Sequence, residues 1–62
     1  MTRFASELRR LRKSLGLTQV DLARILEVDQ TTISLWEASK RNPTSETKRW
    51  VLDALRAVGA AK

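Results

Sequence analysis

Phe4, Leu8, Leu11 and Leu15 recur at i, i+4, i+7 and i+11, the spacing of one narrow apolar stripe along a helix, with Arg9 and Lys13 on the opposite side. This predicts a first helix near residues 3–15, which Gly16 then stops in the left-handed conformation. Thr18 and Asp21 form a capping-box variant ahead of a second helix near 19–26, whose Leu22, Ala23 and Leu26 face inward with Ile25 at the margin. Asp29 is the expected N-cap of a third helix near 30–37. After Asn42 and Pro43, Thr44 is the expected N-cap of a fourth helix near 45–58, with Glu46 placed to suit its macrodipole. Val51, Leu55 and Val58 form a stripe suited to the core of that helix. Trp50, Ala54, Ala57 and Ala61 form a neighbouring stripe that so small a bundle is expected to leave uncovered, which makes Trp50, Ala54 and Ala57 candidate dimer contacts. No stretch alternates as a strand would, so the predicted class is all-α.

Only about three residues separate the second and third helices, too few for them to run antiparallel. They must cross steeply, and Ala23 lets them approach: a helix-turn-helix arrangement. At about 100° per residue, Ile33 and Trp36 point to the core, while Gln30, Thr31, Ser34 and Leu35 look outward. An amide, two hydroxyls and an apolar side chain, uncharged, are suited to reading base edges in the major groove.

Composition narrows the function. Sixty-two residues allow one domain, taken as residues 1–62. With neither Cys nor His there is no disulfide framework and no ligand set for a structural zinc, and no metal site is expected. The acids are spread over caps and helix ends with no convergent pair, so an enzyme is not expected, and no cofactor or small-molecule ligand is evident. No apolar run approaches a bilayer span or a signal peptide, giving an expected cytoplasmic location without membrane contact. The net charge of +5 points to a polyanion. Residues 1–15 carry +4 and 38–50 carry +3, whereas 16–37 carry −3. Basic flanks around an uncharged reading face imply phosphate contacts from the flanks, with Arg9 and Arg10 as candidates in the first helix.

The run from Phe4 to Pro43, with Leu8-Arg9-Arg10-Leu11-Arg12, Gly16-Leu17-Thr18-Gln19, Asp21-Leu22-Ala23, Ile33-Ser34, Trp36-Glu37 and Asn42-Pro43 in register, resembles the phage repressor and Cro type of helix-turn-helix, the XRE-like family. The resemblance implies a compact four- to five-helix bundle of the lambda-repressor-like type. It also implies a repressor-like transcriptional regulator that binds palindromic operator DNA as a homodimer. Carried over by position, Gln19 opens the second helix and bonds phosphate, Gln30, Thr31 and Leu35 touch bases, and Lys40 and Arg41 grip phosphate beside the dimer axis. Arg12 is implied to pair with Glu37 while leaning toward the DNA backbone. An antitoxin or protein-binding module on the same fold is the alternative.

The chain also departs from the family pattern. Glu27 and Ser39 stand where the family usually has Gly, so either Glu27 takes the left-handed conformation at a cost of roughly 1 kcal/mol or the turn differs. Ser45, Lys48 and Arg49 replace leucines of the last helix, whose apolar weight has moved to Trp50 and Leu52. The fifth helix common in the family is expected to be missing.

Overall fold

In the computed structural model, which describes residues 3–61, the chain forms α1 (Arg3–Ser14), α2 (Gln19–Leu26), α3 (Gln30–Glu37) and α4 (Ser45–Ala60). The four helices fall where the apolar spacing puts them, with α4 running two residues further. No strand and no fifth helix occurs among the described residues. None of the helices is long and apolar enough to cross a membrane.

The first three helices end alike, each on a residue in the left-handed region: Gly16 at φ 72°, Glu27 at φ 56° and Ser39 at φ 60°. In each, the following N–H reaches back to close the last turn: Leu17 to the Arg12 carbonyl at 3.0 Å, Val28 to Ala23 at 2.9 Å, and Lys40 to Leu35 at 2.9 Å. This is the Schellman pattern, and it satisfies carbonyls that a helix end would otherwise leave open. Glu27 therefore resolves the open alternative: it adopts the left-handed conformation itself. An L-residue there is strained by about 1 kcal/mol, whereas Gly is not. Because Glu27 is exposed, Glu27→Gly is expected to raise the thermal midpoint by roughly 4–8 °C. An unchanged or lower midpoint in a calorimetric scan would show that this turn is not strained.

The starts of the helices differ. At α2 the capping box is complete, with the Asp21 N–H donating to Thr18 Oγ1 at 3.1 Å and the Thr18 N–H donating to Asp21 Oδ2 at 3.0 Å. The bond from the Thr18 N–H is the larger of two hydrogen bonds, the other from the Thr18 side chain, that hold the Asp21 carboxyl below its ordinary range. Thr44 caps α4 by accepting from the Thr47 N–H at 3.3 Å. Asp29 stands at the N-cap of α3 with extended backbone, but its side chain makes no capping bond. The expected Asp29 cap is therefore one of position only, with its carbonyl accepting from Thr32 and Ile33.

The core gathers Phe4 and Leu8 of α1, Leu22, Ala23 and Leu26 of α2, Ile33 and Trp36 of α3, and Val51 and Leu55 of α4. Phe4 meets the Trp36 ring edge to face, with centroids 6.1 Å apart. Leu11, Leu15, Leu17 and Val28 pack against this cluster, so the turn residues help to close it. Two expectations for α4 need correction. Val58 is half-buried and stands outside the buried cluster, whereas Ala54, assigned to the uncovered stripe, packs against the core. Near its end α4 comes up against Leu15, where a Cβ on Gly59 would lie 3.2 Å from Leu15 Cδ2. The contact falls on the Gly59 side of the last turn and leaves Val58 at its edge.

Candidate nucleic-acid interface

Buried Ile33 and Trp36 seat α3 with one side against the core. Its other side then presents Gln30, Thr31 and Ser34, all exposed, with Leu35 half-buried beside them. Gln30, Thr31 and Ser34 line one shallow hollow together with Gln19, the first residue of α2. A second hollow adjoins it, and its lining adds Arg9, Arg12, Glu37 and Ala38 to the shared Gln19 and Ser34. Three helices thus contribute to one continuous polar surface. Arg9 and Arg10 stand exposed on α1, and Lys40 and Arg41 are exposed just after α3.

Arg12 occupies a different position from the other cations. Its Nε–H donates to Glu37 Oε2 at 2.7 Å and its Nη2 to Glu37 Oε1 at 3.0 Å, a bidentate pair between α1 and α3. Nη1 donates to the Leu17 carbonyl at 2.9 Å, which ties the α1–α2 turn to the same group. The side chains of Arg12 and Glu37 are only 11% and 7% exposed. Hydrogen bonding to Glu37 raises the Arg12 pKa against the opposing effect of burial, so the guanidinium stays charged. With three of its N–H groups engaged inside the protein, Arg12 is committed to the fold and offers little to solvent.

Gln19 belongs to the same cluster, which the sequence reasoning missed. Its amide nitrogen donates to Glu37 Oε1 at 3.3 Å, so α1, α2 and α3 all meet at a single carboxylate. A polar residue at the end of α3 gives no periodic signal of burial. The only clue in the sequence was the implied Arg12–Glu37 pair. Among the described residues no buried side-chain nitrogen or oxygen lacks a hydrogen-bond partner, and no group of acids could hold a metal ion.

The candidate dimer residues are less uniform. Trp50 is 48% exposed and Ala57 is exposed, but Ala54 faces the core, so the three do not make one free stripe. Lys48, nearer the start of α4, sits 5.8 Å from the centroid of the Phe4 ring.

No curated protein and no solved structure matches the chain. A helix-turn-helix family model matches residues 8–47, more than half of its length, and spans the end of α1, both short helices, the loop and the start of α4. With α2 and α3 joined by a tight left-handed turn at Glu27 and one side of α3 open to solvent within that match, the chain belongs to the helix-turn-helix family of Cro/CI-like, XRE-type DNA-binding regulators.

Proposed function

We propose that the protein is a repressor-like regulator that reads operator DNA by placing α3 in the major groove. The observation that carries this reading is the shared, open hollow of Gln30, Thr31, Ser34 and Gln19. With its side chains α3 is about 10–12 Å across, a fit to a groove of about 12 Å. Gln30 can bond adenine through both ends of its amide, Thr31 and Ser34 can donate or accept, and Leu35 supplies apolar contact for a thymine methyl. Arg9, Arg10, Lys40 and Arg41 hold phosphate on either side, and Gln19 adds a neutral donor at the N-terminus of α2, where the helix end favours an anion.

Two copies act together, each reading half of a palindrome, with their α3 helices about 34 Å apart on one face of the duplex. Trp50 is the one exposed large apolar side chain on α4 among the described residues, a small anchor for a stable free dimer. Pairing therefore takes place on the operator.

Selection of bound duplexes from a random pool tests the proposal. A recovered palindrome with half-sites one helical turn apart is expected, and recovery of no shared sequence would overturn operator recognition. On the selected site, Gln30→Ala is expected to weaken binding by about 1–3 kcal/mol and to relax choice at one position. Arg10→Ala should weaken every duplex alike and flatten the salt dependence by about one phosphate. Filter-binding titrations at several salt concentrations separate the two, and a uniform loss from both would mean that the faces are assigned the wrong way round.

A further inference from the structure

We infer that Glu37 is a positioning residue for DNA, acting through the side-chain amide of Gln19. The inference rests on the DNA-binding reading above and adds to it a second role for a buried carboxylate. An ionised carboxylate only accepts hydrogen bonds, so the amide of Gln19 has one compatible orientation: NH₂ toward Glu37 and carbonyl away. One amide hydrogen is taken by Glu37 Oε1 at 3.3 Å. The other diverges from it in the amide plane, and Gln19 borders both hollows, the one beside Arg9 and the one beside Gln30 and Ser34. Gln19 thus offers a donor of fixed direction to a phosphate oxygen without having to lose side-chain freedom on binding.

A carboxylate next to a phosphate site would ordinarily repel the anion. Here the bidentate pair with Arg12 neutralises it, with Nε at 2.7 Å and Nη2 at 3.0 Å from its two oxygens. The same Oε1 accepts from both Arg12 and Gln19, so the orientation of the amide depends on the α1–α3 ion pair being intact. Glu37→Gln retains an acceptor for Arg12 but replaces the acceptor-only partner with an amide, and the orientation of Gln19 is then no longer unique.

Binding of a fixed 20-base-pair duplex by wild type, Gln19→Ala, Glu37→Gln and the double variant tests this. Gln19→Ala is expected to weaken binding about tenfold, the worth of one hydrogen bond to a charged group. In the Glu37→Gln background the same substitution should cost less than about threefold, a non-additive cycle. Equal losses in both backgrounds, or no loss in either while wild type binds, would overturn the positioning role and leave DNA binding standing. Should Glu37→Gln not fold, the NMR order parameter of the Gln19 side-chain amide in the free wild-type protein decides. A rigid amide, against a mobile one for exposed Gln30, supports the inference, and a mobile Gln19 amide overturns it. If wild type binds no duplex while the Gln19 amide is rigid, the DNA-binding reading has failed and the Gln19–Glu37 geometry has not.

Discussion

Arg12→Met is expected to remove about 3–5 kcal/mol of folding free energy, a third or more of the total. The Arg12 side chain is 11% exposed and its partner 7%, so the substitution strands the Glu37 carboxylate in a nearly dry site with only the Gln19 amide for company. The bonds to Glu37 and to the Leu17 carbonyl go at the same time, and with them the ties among α1, the turn and α3. A domain of this length has roughly 3–9 kcal/mol of stability in all. The desolvated charge is the main source of the effect, which gives a second expectation: Arg12→Met combined with Glu37→Met should regain most of the loss. Urea unfolding followed by circular dichroism measures both. A loss below about 1 kcal/mol from Arg12→Met would be the behaviour of an exposed pair and would contradict the account.

Ile33→Ala is the second large effect, expected at about 2–5 kcal/mol. Ile33 is completely buried and is the side chain by which the middle of α3 is anchored in the core cluster. Truncation removes contact area and leaves a space that the neighbouring helices fill only in part. Ile25, 42% exposed on α2, provides the comparison, since Ile25→Ala should change stability by less than about 1 kcal/mol. DNA affinity of Ile33→Ala should fall in proportion to its folded fraction, because α3 keeps its exposed residues and loses only its seat. Equal thermal midpoints for the two variants would show that α3 is not held by Ile33.

The helices and the exposed face of α3 were legible in the sequence because both follow from a single period. Phe4, Leu8 and Leu11 on α1, and Ile33 with Trp36 on α3, place the core side, and Gln30, Thr31 and Ser34 then emerge exposed by subtraction. Ala5, which is fully buried, and the turn residues Leu17 and Val28 were not legible, since their packing depends on how the helices cross. The same holds for α4. Val58, placed in the core stripe, stands at its edge near the end of the helix, and Ala54, placed in the uncovered stripe, packs against the core. Glu37 shows the limit most clearly. Its pairing with Arg12 came only from resemblance, and the third bond from Gln19 came from neither pattern nor resemblance, because polar contacts between distant residues have no period.

The central claim is that α3 chooses sequence while the basic flanks supply affinity. Titration of the wild-type protein against its selected duplex and a random one of equal length, at several salt concentrations, tests this most directly. The account predicts at least about a thousandfold preference for the selected duplex, with similar salt slopes for both. Equal affinity for the two duplexes at every salt concentration would contradict it.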